Sequence, residues 1–191
     1  MGGSYIGNAA TFVVETVFGI YVLIVMLRFL LQLVHADFYN PLSQMLVTAT
    51  QPPLRYLRRV IPGIGGIDLS SAVLALIVQF AQLLLIMLIL GRNASVIGLL
   101  MLSVVRLLEL TIYIVMFSVI ILVVLSWIQP STYNPIFGVL NSLSAPVMRP
   151  ARRLVPPMGG LDLSAIVVLL ALGVLLRVLI APLEHMALRF L

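Results

Sequence analysis

Residues 39–70 read YNPLSQMLVTATQPPLRYLRRVIPGIGGIDLS, and residues 133–164 read YNPIFGVLNSLSAPVMRPARRLVPPMGGLDLS. A shift of 94 residues superposes the two stretches without a gap, and 14 of the 32 positions are then identical. Identity over such a length at one fixed offset indicates an internal duplication. The same register places Glu15 on Glu109, so the duplication reaches back before each stretch. The sequence therefore predicts two copies of one unit, residues 1–94 and residues 95–191.

The rest of the chain is strongly apolar. Its residues are 62% hydrophobic and 9% charged, with a mean hydropathy of +1.23, whereas a soluble domain has about 25% charged residues. Because a soluble domain needs a polar exterior, this composition indicates a membrane protein. Cysteine is absent, which excludes disulfides and thiolate metal sites. All eleven basic residues are Arg, but the apolar chain offers no broad basic surface for nucleic acid.

Four segments are apolar enough to cross a bilayer as helices, which takes about 20 residues. They run from about residue 12 to 34, 69 to 90, 110 to 128 (with a start as early as 96) and 163 to 181, where Pro182 is expected to close the helix. An even number of spans returns the chain to its starting side, so both units have the same orientation. The sequence predicts an all-α, polytopic membrane protein with four transmembrane helices in two parallel helix–loop–helix repeats.

Each repeated loop begins with Asn-Pro, which is typical of a helix start. Asn40 and Asn134 are expected to act as N-caps, with a proline at the first helical position. A short helix from 41 to 50 would end at Pro52, and an amphipathic interfacial helix would follow from 54 to 61. In the second copy Pro150 predicts a shorter helix or one that begins there. The loops carry six basic residues: Arg55, Arg58, Arg59, Arg149, Arg152 and Arg153.

Each loop ends in a glycine pair followed by Asp-Leu-Ser. The glycines permit a sharp turn back into the membrane. Asp68 or Ser70, and Asp162 or Ser164, are then expected to cap the returning helix. The four turn glycines are Gly65, Gly66, Gly159 and Gly160.

This repeated string of Asn-Pro, Pro-x-x-Arg-x-x-Arg-Arg, Pro and Gly-Gly-x-Asp-Leu-Ser resembles the repeat of the YggT family of bacterial membrane proteins. Plastid and Gram-positive relatives of that family are called YlmG. The resemblance implies roles in osmotic stress tolerance and potassium handling in some bacteria. In other lineages it implies roles in cell division or in nucleoid and plastid organisation. One departure is that Arg28 of the first unit matches the apolar Leu122 of the second. A function that requires this Arg in both units is therefore not expected.

The loop Arg residues are the first candidate functional group. Six loop Arg against Arg92 and Arg189 in the opposite segments predict cytoplasmic loops and outside termini in a bacterial inner membrane. The preference of basic residues for the cytoplasmic side would by itself explain such clusters. They are also suited to bind anionic lipid headgroups or an acidic partner.

Polar residues inside the predicted spans form the second candidate group. Glu15 and Glu109, with Gln79 and Gln82, would supply a cation pathway, because ionisable groups in spans are costly and often functional. The alternative is that both acids reach interfacial water, with Glu109 one turn from Arg106. The two amides would then join helices through hydrogen bonds. Arg28 and Arg177 lie close enough to helix ends to extend their charges toward the headgroups.

These features favour a protein that is not an enzyme and needs no cofactor or metal, because catalytic and metal-binding motifs are missing from the sequence. Two functions remain open. One is a role in osmotic or extracytoplasmic stress with cation, in particular potassium, handling. The other is a membrane scaffold or assembly factor for cell division or envelope organisation that acts through the Arg loops. The expected partners are the bilayer, a membrane protein or a second copy of the chain, and not nucleic acid.

Overall fold

The computed structural model describes residues 2–61, 63, 66–128, 135–155 and 162–191, and nearly all of them are helical. The all-α fold is therefore confirmed. Four helical segments in these ranges are long and apolar enough to cross a membrane: Tyr5–Leu33, Leu69–Ile89, Val96–Ser126 and Ser164–Arg189. The helices are α1 (Gly2–Leu33), α2 (Pro41–Leu57), α3 (Leu69–Ile89), α4 (Val96–Ile128), α5 (Pro135–Leu154), α6 (Ser164–Leu175) and α7 (Ala181–Arg189).

The first helix of each unit is longer than a bilayer crossing. α1 and α4 have 32 and 33 residues, or about 48 to 50 Å at 1.5 Å per residue, against about 30 Å of hydrocarbon. α1 begins at Gly2, before the predicted start of the first span near residue 12. Hydropathy detects the bilayer core, and a helix can continue beyond it. As a result Glu15 and Glu109 lie between three and four turns inside their helices, not at the helix starts.

The interfacial segment of the first loop is one continuous helix, so the predicted break at Pro52 was wrong. α2 runs through Pro52 and Pro53. Each proline removes one intrahelical hydrogen bond, which frees the carbonyls of Thr48 and Ala49. Both of those residues are exposed, so water or headgroups can satisfy the freed carbonyls.

The interfacial helices also end differently from the prediction. α2 stops at Leu57, and the four residues to Ile61 form turns, so the predicted helix from 54 to 61 is not formed. α5 runs without interruption through Pro146 and Pro150, which corrects the shorter helix expected there. Both prolines lie on the exposed side of α5. There, water or headgroups can satisfy a backbone carbonyl that has lost its N–H donor.

Pro182 does not close the fourth span. The helix continues from α6 through a π-helical segment, Leu176–Ile180, into α7, where Pro182 lies in the first turn. The widened turn has Ala181 N–H donating to the Leu176 carbonyl five residues earlier. Such a bulge accommodates a proline that would otherwise clash with the preceding turn. The tail beyond Pro182 is therefore part of the bundle and not a separate interfacial segment.

The two units are packed unequally. In the first unit α1 packs along α3 over a large shared core that includes Val22, Val25 and Ala75, and two residues of α5 join it. The second unit has a smaller core of its own around Val119 and Val168.

The end of the bundle away from the loops is closed by the last residues of the chain. Ser95 N–H donates to the Leu191 carbonyl at 3.2 Å. The backbone of Phe190 approaches Gly98 so closely that a Cβ there would lie 2.5 Å from its carbonyl oxygen. The turn between α3 and α4 is therefore held against the end of α7.

Candidate functional site

The two repeated loops meet at one end of the bundle. Asn40 joins them: its Oδ1 accepts a hydrogen bond from Leu42 N–H at 2.9 Å and caps α2. Its Nδ2 donates to the Pro135 carbonyl at 2.6 Å, at the start of α5. The N-terminal ends of α2 and α5 are thus in direct contact, and both Arg clusters belong to the same face of the protein. The matching cap Asn134 lies outside the described residues.

An ion pair closes the first loop. Arg58, at the end of α2, donates to the carboxylate of Asp68, which precedes α3, and Ser71 Oγ donates to the same carboxylate at 2.7 Å. Burial acts to raise the pKa of Asp68, but the hydrogen bonds from Arg58 and Ser71, with the Arg58 charge, outweigh it and hold the pKa below its ordinary value. Ser70 Oγ donates to the Ile61 carbonyl at 2.8 Å, so it ties the loop together and does not cap α3.

The same ion pair recurs in the second loop. Arg152 Nε and Nη2 lie 2.9 and 2.8 Å from Asp162 Oδ2, and Ser164 N–H donates to Asp162 Oδ1 at 3.1 Å. Burial again acts to raise the pKa of Asp162, while the hydrogen bonds from Ser164 and Arg152 lower it below its ordinary value. The second pair is the more open one, since the Asp162 side chain is 28% exposed and that of Asp68 is 5% exposed.

The turn glycines are only partly described. Gly66 has a φ of +83°, in the left-handed region that a residue with a Cβ rarely adopts. The other three glycines that were predicted to form these turns lie outside the described residues: Gly65, Gly159 and Gly160.

Sequence reasoning identified Arg58 and Asp68 separately but missed that they pair. The available signal was their common recurrence: both residues reappear at the offset of the duplication, with the same separation of ten positions. Two opposite charges that recur together at a fixed spacing are candidates for a contact within each unit. One Arg of each loop is therefore committed to a structural bond.

The other four loop Arg residues are exposed, and none of them has an acidic partner in the part of the chain that the structure describes. The guanidinium of Arg59 lies over the Tyr56 ring, 5.9 Å from its centroid, which favours a defined position for that cation. The four are Arg55, Arg59, Arg149 and Arg153.

Arg28 does not extend to the headgroups, which corrects the expectation from its position near a helix end. Its side chain is buried, and its Nη1 donates to the Thr50 Oγ1 at 2.6 Å and to the Val47 carbonyl at 2.9 Å. A buried guanidinium needs such acceptors, and the hydroxyl and carbonyl groups of α2 provide them. Arg28 therefore fastens α2 onto α1 from inside. Arg177, by contrast, is exposed.

A second cluster lies toward the opposite end of the bundle. A cavity of about 410 Å³ between α1, α3 and α4 brings together all four residues of the predicted polar group. Gln79 Nε2 donates to Gln82 Oε1 at 2.9 Å, and Gln82 Nε2 donates to the Glu15 carbonyl at 3.2 Å. Gln82 is thirteen residues into α3, about 20 Å from the loop end of that helix. The four members of that group are Glu15, Gln79, Gln82 and Glu109.

This outer cavity carries net negative charge. Arg106 donates to Glu109 at 2.8 Å and to Glu184 at 2.7 Å, so one guanidinium is shared by two carboxylates. The Glu15 carboxylate has no ion-pair partner within the described ranges. The charged residues that line the cavity are two acids and one Arg, which leaves an excess of one negative charge, and Glu184 draws further on the same Arg.

The outer cavity does not continue to the loop face as a polar channel. Between it and the loop end, α1 and α3 meet through side chains that are buried and apolar: Val25, Met26, Leu74 and Ala75. In this conformation the cavity is closed on that side.

An apolar chain folded in this way is a multi-pass membrane protein made of two helical hairpins that place their interfacial helices at one end. It belongs to the CCB3/YggT family, whose model matches residues 7–89 and again residues 101–183. The family resemblance seen in the sequence is therefore confirmed.

Bacterial relatives share most of the chain's length. An uncharacterized protein of Pseudomonas aeruginosa is 45% identical over 169 residues, which are 87% of this chain and 86% of the relative. The uncharacterized protein YggT of Escherichia coli is 37% identical over 169 residues, 88% of this chain and 87% of the relative. A protein of Vibrio alginolyticus is 37% identical over 168 residues, 86% and 90% of the two chains. No solved structure matches the chain.

The ion pairs generate a test of loop closure. Asp68→Asn should cost about 1 to 3 kcal/mol of stability, because it leaves a guanidinium bonded to a neutral group in a buried setting. Asp162→Asn should cost roughly 0 to 1 kcal/mol, because its pair is more exposed. Thermal unfolding of the purified protein in detergent measures both. Asp37→Asn, at an exposed acid on the same face, is the control and should change little. Equal losses for Asp68→Asn and Asp162→Asn, or no loss for either, would contradict the assigned closure.

Proposed function

We propose that this protein is a non-enzymatic inner-membrane scaffold that holds a division or envelope complex through the basic face formed by α2 and α5. Four exposed Arg residues support this role, because none of them is used by an acid of the described chain. Each loop Asp is already engaged by its own Arg, so the remaining cations are available to a partner. They are Arg55, Arg59, Arg149 and Arg153.

The arrangement of these four cations favours a role in binding in addition to their effect on membrane orientation. The positive-inside rule depends on charge near a span and not on its geometry. Here the Asn40–Pro135 hydrogen bond joins the two helices, and the two ion pairs anchor their ends to α3 and α6. A positioned set of guanidinium groups suits bidentate recognition of carboxylates on a partner. We place this face in the cytoplasm, where Arg-rich segments of membrane proteins concentrate.

The acids of the protein fit a non-enzymatic role as well. Asp68 and Asp162 close the loops, while Glu109 and Glu184 share Arg106. Carboxylates that are engaged in ion pairs with Arg are not free to act on a substrate. Stress tolerance would then follow from the integrity of the complex that the protein supports.

Changing the four free Arg tests the scaffold. With all four replaced by Gln, crosslinking in cells should recover the native partner several-fold less well, because the carboxylate-binding groups are gone. The matched variant with all four replaced by Lys keeps the charge and the orientation, and it should lose less than the Gln variant. A reporter fused to the C-terminus verifies orientation in both. Unchanged partner recovery in a correctly oriented Gln variant would refute the scaffold role.

A second function, cation handling with a link to potassium, is favoured by one observation. The four polar residues chosen from the sequence line a single cavity with excess negative charge. Such a vestibule attracts cations and raises their local concentration. Transport would require the closed layer around Val25 and Ala75 to open, in the manner of a gate.

Liposomes that contain the purified protein test cation handling. Glu15→Gln removes the excess negative charge of the cavity lining and should lower potassium flux several-fold relative to the unchanged protein. Asp37→Asn makes the same charge change away from the cavity and should leave flux unaltered. The cation function fails if the unchanged protein gives no flux above empty liposomes, or if Glu15→Gln and Asp37→Asn behave alike.

A further inference from the structure

The second unit contains a cavity of about 580 Å³ between α4, α5 and α6, which lies apart from the acidic cavity. Its volume is in the range of about 300 to 1,000 Å³ that ligand sites occupy. Aliphatic side chains of two spanning helices form most of its wall, so it is accessible from the hydrocarbon region. Six of them are Val119, Ile120, Val123, Leu163, Ile166 and Leu169.

One end of this cavity is polar and basic. Arg152 and Asp162, the ion pair of the second loop, line the cavity together with Asn141 of α5. Arg149 and Arg153 lie three positions before and one position after Arg152 on α5, and all three are exposed. Because Arg152 is bonded to Asp162, the charges that line the cavity balance, and Arg149 and Arg153 are the neighbouring cations of α5 without an acidic partner in the described chain. The site therefore combines an apolar chamber with a polar loop end that is formed by an Arg-rich helix.

The corresponding apolar region of the first unit is packed more tightly, while the loop end of that unit keeps a cavity of about 500 Å³ lined by Gln32, Arg58 and Asp68. Met26 is 4% exposed where its counterpart Ile120 is 41% exposed, and Leu30 is 6% exposed where Val124 is 44% exposed. The duplicated architecture alone therefore does not produce the cavity. A difference in sequence between the units must keep one region filled and the other open.

Two features distinguish the units here: Val139 and Leu143 of α5 pack into the core that holds Met26 and Leu30, and the residue at position 28 differs from that at position 122. Arg28 is buried and reaches across to Thr50 and the Val47 carbonyl, so its long side chain fills the space between α1 and α2. Leu122 lines the open cavity and is too short and apolar to make the same bridge. The groups of α5 that match the Arg28 acceptors are those of Asn141 and Ser144.

From this contrast we propose that the cavity of the second unit is a lipid site, which takes an acyl chain of an anionic diacyl phospholipid and binds its phosphate through Arg149 and Arg153. An acyl chain matches the aliphatic wall and is available from the surrounding bilayer. Only an anionic headgroup complements the free cations at the mouth. The mouth is at the loop end, so the lipid comes from the leaflet that faces the loops. This assignment shares Arg149 and Arg153 with the proposed scaffold face, but the chamber around Leu122 is not part of that face, so substitutions of Leu122 test the lipid site separately.

Native mass spectrometry of the delipidated protein in detergent tests the site, with dioleoylphosphatidylglycerol as the probe. The unchanged protein should retain one lipid molecule. Leu122→Trp fills the chamber and should weaken that binding about tenfold. Leu122→Arg, which installs the residue of the first unit, should do the same. Val104→Trp, at an exposed position elsewhere on α4, is the matched control and should bind as the unchanged protein does.

Two further probes separate the headgroup from the chain. Arg149→Gln with Arg153→Gln should weaken binding of the phosphatidylglycerol about tenfold but leave a diacylglycerol with the same chains unaffected. Soluble glycerol phosphate should not compete, because it lacks the chain. Equal phosphatidylglycerol binding by Leu122→Trp, Val104→Trp and the unchanged protein, with all three folded by thermal unfolding, would overturn the proposal. So would binding of phosphatidylcholine as strong as that of phosphatidylglycerol.

Discussion

The ion pair between the end of each interfacial helix and the start of the following span is the interaction on which the rest of the structure depends. A hairpin of two membrane helices has to return its chain to the bilayer, and the connecting loop here is long enough to hold a helix of its own. Arg58–Asp68 and Arg152–Asp162 fix the end of that helix to the beginning of the next span. With both ends of each loop fixed, the helix between them lies across the end of the bundle and presents the remaining Arg residues outward.

The two units share this closure but differ in what lies beneath it. In the first unit a buried Arg28 fastens α2 onto α1, and the core under it is tightly packed. In the second unit Leu122 takes that position, and the space remains open toward the bilayer. The two copies of one unit thus differ in packing: the first has a filled apolar interior, and the second has a cavity between α4, α5 and α6. The acidic cavity is also asymmetric, since Gln79 and Gln82 have Gly173 and Leu176 as counterparts.

Sequence reasoning reached the fold class, the repeat and the four spans, because lipid imposes a hydropathy pattern that composition reveals directly. It misjudged Pro52, Pro150 and Pro182, since a proline stops a helix only where the freed carbonyl cannot be satisfied or the turn cannot widen. Arg28 was misplaced for a related reason: distance from a helix end says nothing about acceptors on another helix. The convergence of Glu15, Gln82 and Glu109 on one cavity depends on helix rotation and packing, which an apolar sequence with little periodicity does not specify.

We infer that both units have the same orientation and present their closed loops on one side of the membrane. Val60, just after α2, and Leu154, the last residue of α5, occupy matching positions in the two repeats, and each is 81% exposed. Because the chain has no cysteine, Val60→Cys, Leu154→Cys and Asn93→Cys each provide one thiol for a membrane-impermeant maleimide, applied to spheroplasts and to inverted vesicles. The account predicts that positions 60 and 154 are labelled only in inverted vesicles and position 93 only in spheroplasts. Labelling of 60 and 154 from opposite sides would contradict it.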